Sequence, residues 1–398
     1  MKAGWRLEPI AVVCEIKPRK AEARCKISAD DLVSFVPMES LGIDQKFLTT
    51  TRTRPLSEVA GSYTYFADGD VLLAKITPCF ENGKLGIAAD LMNGIGFGSS
   101  EYIVFRPNAS IVKDWLYYFL SRESFRKEGA ERMTGAVGHK RVAKDFIESY
   151  LIPVPLLLEQ HRIVSILDEA FDGIATAKAN AEKSLQNARA FFESHLQTVF
   201  SQRGKGWIEM KLADVCAITS TLVDPRKAEF LDLTHVGAGN IESKTGALFE
   251  LKTAREEGLI SGKFLFDESM VLYSKIRPYL MKVARPDFSG LCSADMYPLA
   301  PLPGEADKDY LFHLLLSKHF TDYAIQGSAR AGMPKVNREH LFEFRVCLPS
   351  VSKQREIAAK LDELHEETQR LGAIYQQKLT ALDDLKKSLL HQSFSGQL

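Results

Sequence analysis

Residues 159–200 read EQHRIVSILDEAFDGIATAKANAEKSLQNARAFFESHLQTVF, and this stretch decides the fold. It contains no proline, and its apolar or small residues recur at alternating spacings of three and four. We call these residues the first seam: Ile163, Leu167, Ala170, Ile174, Ala177, Ala181, Leu185, Ala188, Phe192, Leu196 and Val199. A mean spacing of about 3.5 is typical of a coiled coil. The pattern therefore predicts one helix of roughly 60 Å, at ~1.5 Å per residue, with a single apolar stripe.

A second seam follows 194 residues later, in residues 351–398. Its members are Ile357, Leu361, Leu364, Thr368, Leu371, Tyr375, Leu379, Leu382, Lys386, Leu390 and Ser393, with Lys386 as a charged interruption. A long helix with one exposed apolar stripe is not stable alone, so each stripe needs a partner of equal length. We expect the two helices to form an antiparallel coiled coil within the chain, with a domain at each end.

The rest of the chain also repeats, with an offset of about 200 residues. Gly4-Trp5 returns as Gly206-Trp207, and Pro-Arg-Lys-Ala-Glu at 18–22 returns intact at 225–229. Lys75-Ile76 with Pro78 likewise matches Lys275-Ile276 with Pro278. Such a period is far too long for a solenoid repeat. Two domain-sized copies predict a pseudo-two-fold molecule, the single-chain counterpart of a symmetric dimer.

Each copy has a front part of mixed character before its long helix. Residues 1–150 and 204–345 alternate short apolar or β-branched runs with Gly, Pro and Asp, which is typical of strands and loops. Short helices are expected from Asp114 to Phe125 and from Asp309 to Phe320, each capped by its Asp. The predicted class is α+β: two pseudo-symmetric α/β domains, 1–150 and 204–345, separated by long helical segments, 151–203 and 346–398.

Composition limits the function further. The 398 residues carry 51 basic and 51 acidic side chains, which argues against a strongly basic, non-specific nucleic-acid binder but not against a reader of specific sequence. No apolar run approaches the ~20 residues of a membrane span, and the N-terminus does not resemble a signal peptide, so a cytoplasmic protein is expected. The six cysteines form no Cys-x-x-Cys pair, so neither a zinc site nor a disulfide framework is expected.

Sequence motifs of catalysis are absent. The segment from Gly258 to Gly262-Lys263 is one residue short of a phosphate-binding loop and continues into Phe264. No Asn/Asp-Pro-Pro-aromatic stretch offers the base pocket of an amino-methyltransferase, and His313 and His319 are six residues apart, which does not suit a metal pair. We therefore expect a non-enzyme without cofactor or metal.

Several separated phrases resemble one known family. Ile152-Pro-Val-Pro-Leu-Leu-Leu-Glu-Gln160-His-Arg-Ile163, followed by Leu167-Asp168, and the closing Leu389-Leu-His-Gln-Ser-Phe394-Ser-Gly-Gln-Leu398 are similar to conserved regions of the specificity (S) subunits of type I restriction-modification systems. The Val271-Leu-Tyr-Ser-Lys275-Ile-Arg277-Pro278 segment looks like part of that family's target recognition domains. The resemblance covers the whole chain, in the order recognition domain, long helix, recognition domain, long helix.

This resemblance implies a non-catalytic reader of double-stranded DNA. Each recognition domain of such a subunit reads one half of a split, asymmetric sequence, and the helices set the gap between the halves. Methyltransferase (modification) and endonuclease/translocase (restriction) subunits assemble around it. The alternative that the residues leave open is a coiled-coil scaffold joining two protein-binding domains, without DNA.

Basic residues in the loops of the front domains are the candidates for DNA contact. In the first copy they are Lys17, Arg19, Lys20, Arg52, Arg54, Lys75, Lys140 and Arg141. In the second copy they are Arg226, Lys227, Lys275, Arg277, Arg330 and Lys335. Arg52 and Arg54 are expected to flank a Thr-rich turn. The alternative for each is a solvated surface charge, and for Lys75 and Lys275 a role in the fold.

Two glycine-containing basic loops, 134–142 and 328–336, are the strongest of these candidates. Glycine lets the backbone approach a phosphate or a groove edge closely, and Arg or Lys then reaches a phosphate or a guanine. Basic residues common to both copies, such as Lys140 with Lys335, are candidates for phosphate contact. Residues that differ, such as Arg277 against Thr77, or Arg141 and Arg330, are candidates for reading bases.

Overall fold

The computed structural model describes residues 4–49, 52–136, 138–202, 204–328 and 334–398. The chain forms two compact units. The first unit comprises Met1–Ala181 and Gln377–Leu398, and the second comprises Glu182–Gln376. Each long helix therefore contributes one part to each unit. The six cysteines are free thiols.

The first unit contains ten strands and six short helices in its described residues. Its strands are β1 (Arg6–Pro9), β2 (Cys14–Ile16), β3 (Leu32–Val36), β4 (Arg52–Pro55), β5 (Thr64–Ala67), β6 (Val71–Ala74), β7 (Leu85–Ile87), β8 (Ile95–Gly98), β9 (Tyr102–Pro107) and β10 (Leu151–Val154). Its helices are α1 (Ile10–Val13), α2 (Ala21–Lys26), α3 (Leu56–Val59), α4 (Lys113–Leu120), α5 (Glu123–Glu131), α6 (Lys144–Ser149) and the first part of α7 (Leu157–Ser201), with 3₁₀ turns at Met38–Ser40 and Met92–Gly94.

The strands of the first unit form two four-stranded sheets and a two-stranded ribbon. The sheet orders are β2-β9-β6-β7 and β4-β3-β8-β5, and β1 pairs with β10. β2 and β6 both run antiparallel to β9, while β3 runs parallel to β8. Since β8 leads into β9 through residues 99–101, the C-terminal ends of β2, β6, β3 and β8 all lie at one edge. The loops that leave these strands are thereby gathered together.

The second unit contains the remaining elements. Its strands are β11 (Ile208–Lys211), β12 (Cys216–Ala217), β13 (Leu222–Val223), β14 (Thr234–Val236), β15 (Lys252–Thr253), β16 (Lys263–Phe266), β17 (Val271–Ser274), β18 (Val283–Ala284), β19 (Gly290–Ser293), β20 (Met296–Pro301) and β21 (Arg345–Leu348). Its helices are α8 (Lys308–Leu316), α9 (Lys318–Gln326), α10 (Arg338–Phe342) and the first part of α11 (Val351–Ser395), with 3₁₀ turns at Leu212–Asp214, Ala238–Asn240 and Pro278–Leu280.

The second unit repeats the topology of the first. Its sheets have the orders β12-β20-β17-β18 and β13-β16-β19-β14-β15, and β11 pairs with β21. β14 runs parallel to β19, as β3 runs parallel to β8. The one addition is β13, a two-residue strand at the free edge of β16. The sequence repeat is therefore a repeat of the fold, and the α+β class is confirmed.

Within each unit, parts of the two long helices lie side by side. In the first unit, Arg162 donates to a backbone oxygen of Leu398 at 3.0 Å and Lys178 pairs with Asp383 at 2.7 Å. Residue numbers rise along α7, from 162 to 178, while those of its partners in the C-terminal segment fall, from 398 to 383. These helix parts are therefore antiparallel, as predicted. In the second unit, the rings of Phe192 and His365 lie 4.9 Å apart. The residues of both seams are buried or half-buried.

Lys386, the charged interruption of the second seam, has partners of its own. Its ammonium pairs with Asp44 at 2.9 Å and lies 5.4 Å from the ring centre of Phe171. The lysine stem can cover apolar surface while its charged end is satisfied, so the interruption does not break the packing.

The short helices differ from expectation. Where one helix was expected per copy, two follow each other: α4 and α5 in the first unit, α8 and α9 in the second. Asp114 and Asp309 are not caps, because they lie inside the first turn. Val112 precedes α4 without a side-chain cap, whereas the Asp307 carboxylate accepts from the backbone of Asp309 and Tyr310 at the start of α8. At α8 the cap is therefore Asp307, two residues before the Asp309 that was expected to supply it.

A buried glutamine fastens each long helix to the domain that precedes it. Gln160 accepts from the Val112 N–H at 2.8 Å and donates to the carbonyls of Ser110 and Pro155 at 3.0 and 2.9 Å. In the second unit, Gln354 accepts from the Asp307 N–H and donates to the carbonyls of Glu305 and Pro349. Both glutamines are fully buried and use the amide oxygen and the amide nitrogen. The shared Pro and Gln of the two copies thus form the same joint.

A charged cluster makes a second joint in each unit. In the first, the Lys46 ammonium bridges Asp114 of α4 and Asp168 of α7 at 2.8 and 2.6 Å, and the Tyr118 hydroxyl also donates to Asp168. In the second, Arg285 bridges Asp309 of α8 and Asp362 of α11 at 2.7 and 3.0 Å, and His313 contacts the same Asp362 at 2.8 Å. In both units one cation bridges an aspartate of a short helix and an aspartate of a long helix, but the cation is a lysine in the first unit and an arginine in the second.

The histidine of the second cluster predicts a pH dependence. Burial lowers the pKa of His313, against the opposing hydrogen bond and charge of Asp362, while Arg285, Asp309 and His365 are the other charged or titratable groups around it. Its Nδ1 is buried without a hydrogen-bond partner among the described residues, so a proton there would find no acceptor. The unfolded chain binds the proton more readily, so this stability is complete above pH ~6.5 and is lost as the pH falls.

Replacing His313 with Gln should therefore remove part of the acid sensitivity. Between pH 7.5 and pH 5.5, we expect the wild-type chain to lose about 1 kcal/mol more unfolding free energy than the variant. Urea unfolding at both pH values measures this difference, and His319→Gln, at an exposed histidine of α9, is the matched control. An equal loss in wild type and His313→Gln would contradict the assignment. Since burial also lowers the pKa of His235 and His365, some acid sensitivity should remain.

Candidate nucleic-acid interface

The loops that leave the first unit's sheets form a surface that we call the first loop edge, residues 17–20, 75–84, 99–101 and 134–141. The Lys17 N–H donates to the Val104 carbonyl at 2.8 Å, so residues 17–20 run beside the start of β9. The Lys75 N–H donates to the Glu101 carbonyl, and Thr77 donates to Lys140, at 2.9 Å each. Lys20 reaches the Gly61 carbonyl, just before β5, at 2.7 Å. The sheets thus bring together loops that are far apart in sequence.

Residues 134–136 and 138–141 of the basic loop belong to a tight hairpin at this edge. Thr134 and Arg141 exchange both backbone hydrogen bonds, at 3.0 and 2.8 Å. Gly135 and Gly138 have φ values of 123° and 82°, which favour glycine. The hairpin leaves Lys140 exposed, without an ion pair to any residue that the structure describes. Its geometry suits contact with a phosphate.

Not all predicted cations of the first unit are free. Arg141 makes a two-point ion pair with Glu101, at 2.9 and 2.8 Å, and this contact lowers the pKa of the Glu101 carboxyl. Arg141 therefore has to leave Glu101 before it can read a base. Lys75 is half-buried and donates to the Ser100 carbonyl at 3.0 Å, which favours its alternative role in the fold. Lys17 and Arg19 are exposed, without ion pairs among the described residues.

Arg52 and Arg54 lie on a strand rather than beside a turn. They belong to β4, the edge strand next to β3, where Thr53 between them suits an extended backbone. Arg52 lies opposite Phe35 near the C-terminal end of β3 and pairs with Glu39 at 3.2 Å. Arg54 lies further from the loop edge and stacks on the Phe35 ring at 4.3 Å. Only Arg52 is therefore well placed beside the loop edge.

The second unit has a matching surface, the second loop edge, made of residues 224–227, 275–282, 293–295 and 334–336. Lys275 donates from its backbone to Asp295, and Val336 donates to Lys275, at 3.1 and 2.8 Å. The first unit has the same pattern at Lys75, Glu101 and Val142. Val223 pairs with Lys263, which in turn lies opposite Ser293, so the residues after β13 also reach this edge.

These hydrogen bonds revise the matching of the two copies. Ile276 bridges Lys335 as Ile76 bridges Arg141, so Lys335 corresponds to Arg141 and not to Lys140. Like Arg141, Lys335 faces a carboxylate, Asp295, at 3.5 Å. Lys275 donates to the Ala294 carbonyl and lies 3.8 Å from the same Asp295, repeating the position of Lys75. The position of Lys140 is taken by Pro334.

The other second-unit candidates differ in their availability. Arg226 is held by Asp224 at 2.9 and 2.8 Å, whereas Lys227 and Arg277 are exposed without ion pairs among the described residues. Arg330 lies outside the described residues. The sequence reasoning missed Lys252, an exposed residue of β15 opposite His235, at the place that Arg52 occupies opposite Phe35. The sequence could have identified Lys252, because it follows Arg52 by 200 residues, the same offset that relates Lys75 to Lys275.

Like charges crowd at both edges. Burial lowers the pKa of Lys20, and repulsion from Lys17 and Arg24 lowers it further. Burial likewise lowers the pKa of Lys275, with repulsion from Lys335, although Asp295 opposes this. A polyanion placed against such an edge relieves the repulsion. In the described part of the chain, no group of three His, Cys, Asp or Glu residues is arranged for a metal ion, and no helix is long and apolar enough to cross a membrane.

Comparison with known proteins agrees with this arrangement. A family model described as Type I restriction modification DNA specificity domain matches residues 42–186 and again residues 204–380, which together make up most of the chain. One match falls in each copy of the repeat.

Relatives and solved structures are similar to the chain as well. The EcoDI specificity subunit of Escherichia coli is 31% identical over 62% of this chain and 55% of its own length. The MjaVIII specificity subunit of Methanocaldococcus jannaschii is 22% identical over 76% and 74%. The chain spans about half of the length of the Escherichia coli relatives that it matches.

In structure, a chain from a type I R-M system superposes with a TM-score of 0.79 at 16% identity, covering 100% of this chain and 99% of the other. The HsdS subunit of Thermoanaerobacter tengcongensis gives 0.66 at 17% identity, covering 100% and 98%. At sequence identities this low, the comparison shows that the fold is similar and nothing more.

Proposed function

Because the chain belongs to the family of type I restriction-modification DNA specificity proteins, we propose that it reads a bipartite, asymmetric sequence in double-stranded DNA. Residues 1–150 and 204–345 are the two target recognition domains, one for each half-site. Residues 151–203 and 346–398 are the helical segments between them. The chain itself is non-catalytic, acts in the cytoplasm and scaffolds methyltransferase and endonuclease/translocase subunits.

The observation that carries this proposal is the pair of matching loop edges. In each unit, basic side chains from distant parts of the sequence lie together at one edge of that unit's sheets, and the edge is the corresponding one in both units. Several positions are basic in both copies, among them Arg52 with Lys252, Lys75 with Lys275, and Arg141 with Lys335. Shared cations suit the DNA backbone, which is the same at both half-sites, while differing residues suit the bases, which are not.

The alternative, a protein scaffold without DNA, explains the charge of these edges less well. A protein-binding surface generally has an apolar centre with a polar rim. Here the repeated feature is a group of cations, some of which repel each other and some of which face a carboxylate, and the apolar seams are occupied by the helices themselves. The charge pattern therefore favours DNA.

The salt dependence of DNA binding tests the proposal. Lys140→Ala in the first unit and Lys252→Ala in the second each remove an exposed cation without an ion pair in the described structure. Each variant should weaken binding to all sequences alike and reduce the slope of log K against log salt by about one ion. The measurement is a salt titration of the complex assembled with its methyltransferase subunits, on duplex DNA of mixed sequence.

Arg345→Ala is the control, because Arg345 is 63% exposed and lies on the β11–β21 ribbon, where its guanidinium is 4.0 Å from Glu209. It should leave the slope unchanged. A complex whose affinity for duplex DNA is no higher than that of the methyltransferase subunits alone would contradict the proposed function.

A further inference from the structure

The second loop edge carries a short turn, Arg277–Met281, whose conformation differs from that of the matching turn of the first unit, residues 77–83. Its backbone is left-handed at both ends, with φ of 49° at Arg277 and 50° at Met281. Residues with a Cβ rarely adopt this conformation, and an observed outlier of this kind is a reason to look for function. Pro278, between them, is buried and anchors the turn.

Hydrogen bonds hold the turn in this conformation. The Arg277 N–H donates to the Pro334 carbonyl at 2.8 Å, and Leu280 and Met281 donate back to Arg277 and Pro278 at 2.9 Å each. Lys244 also donates to the Met281 carbonyl at 3.2 Å. The backbone of the turn is therefore fixed from both sides, and its side chains are presented from a rigid base.

Two side chains project from this base into solvent. Arg277 is exposed and makes no ion pair with a described residue, and Tyr279 is 52% exposed. Both side chains, two positions apart on a fixed backbone, are therefore open to a partner outside the chain. The five N–H donors of a guanidinium match the O6 and N7 acceptors of guanine in the major groove.

The first unit lacks this arrangement at the same place. Its counterparts are Thr77 and Cys79, and the Thr77 hydroxyl is already used by Glu81 and Met133. The next residue, Phe80, is fully buried. The two edges share their backbone hydrogen bonds and several cations but differ at this turn, which is where readers of two different half-sites have to differ.

We infer that the Arg277–Met281 turn is the base-reading element of the second unit, with Arg277 bound to a guanine and Tyr279 packed against the neighbouring base pair. This inference rests on the proposed function. It assigns a guanine, paired with cytosine, to the half-site of the second unit, and it gives Arg277 and Tyr279 the specificity of that position.

The test compares methylation by complexes assembled with wild-type chain, Arg277→Gly and Tyr279→Ala. The substrates are duplexes that carry the wild-type target, identified by sequencing methylated DNA, and every single-base variant of it. Glycine is comfortable at φ 49°, so Arg277→Gly removes the side chain while easing the backbone, and its thermal midpoint should not fall. Arg277→Gly should lose about 10- to 100-fold discrimination at one G·C pair of one half-site. Tyr279→Ala should lose discrimination at the adjacent pair.

The outcomes separate this inference from the proposed function. If wild type methylates a bipartite target and Arg277→Gly keeps full discrimination at every pair, the turn is not a reader, while the proposed function stands. Relaxed discrimination in both halves alike would also overturn the inference, because a reader acts on one half-site. If the wild-type complex methylates no bipartite sequence, the proposed function fails and the inference fails with it.

Discussion

Gln160→Leu should lower the unfolding free energy of the first unit by about 2–4 kcal/mol, although leucine has nearly the same volume. The buried amide satisfies one backbone N–H and two carbonyls, and leucine leaves all three without a partner. Each unsatisfied buried group costs about 1–3 kcal/mol, and partial access of water to Ser110 and Val112 reduces the total. Gln354→Leu should have a similar effect in the second unit, where the same three bonds are made.

Tryptophan fluorescence during urea unfolding measures the effect in the first unit. The Trp115 ring packs in that core, and its Nε1 donates to the Pro153 carbonyl at 2.9 Å, close to the Gln160 joint. Circular dichroism serves for Gln354→Leu. Gln377→Leu, at an exposed position of the second long helix, is the matched control and should change stability by less than about 0.5 kcal/mol. A loss at Gln160 no larger than that of the control would show that the joint does not hold the helix.

The sequence predicted the parts of the fold that depend on spacing along the chain. Both seams, their antiparallel pairing and the repeat could be read because apolar periodicity reports burial directly. The role of Gln160 could not be read, since its partners come from Ser110, Val112 and Pro155 and are all backbone groups. The one hint in the sequence is that Pro155 and Gln160 recur, 194 residues later, as Pro349 and Gln354.

At the candidate interface, the sequence identified the basic residues but not their ion pairs, their matching between the two copies or their secondary structure. The pairing of Arg141 with Glu101 joins residues 40 positions apart, which no local pattern reveals. Matching the two basic loops by sequence placed Lys335 with Lys140, whereas the backbone bridges place it with Arg141. The Thr-rich segment at Arg52 suggested a turn because its tertiary partner, β3, was unseen. Position relative to a sheet edge and the presence of a neighbouring carboxylate, not residue type, decide which cations are available.

Exchange of the second recognition domain should replace one half of the target sequence and leave the other unchanged. Each loop edge is built within one unit, from loops of that unit alone. A foreign domain brings its own edge and should lower methylation of the original site by about 1,000-fold or more, the usual ratio of specific to non-specific binding.

The structure guides the design of the exchange. The proposed domain ends at residue 345, the first residue of β21, which pairs with β11 over Ile208–Lys211. We therefore extend the exchanged segment to 204–348, so that both strands come from one source. The donor needs a basic residue at the place of Arg285, because Asp362 of the retained helix otherwise loses its cation. Gln354 contacts backbone groups of the exchanged segment, which any donor supplies.

Sequencing of methylated DNA from cells that carry the methyltransferase subunits with either the natural or the exchanged chain tests the central claim most directly. We predict two bipartite targets that share the half-site read by the first unit and differ in the other half. Two targets that differ in both halves, or one target that is unchanged by the exchange, would contradict the account that each unit reads its own half-site.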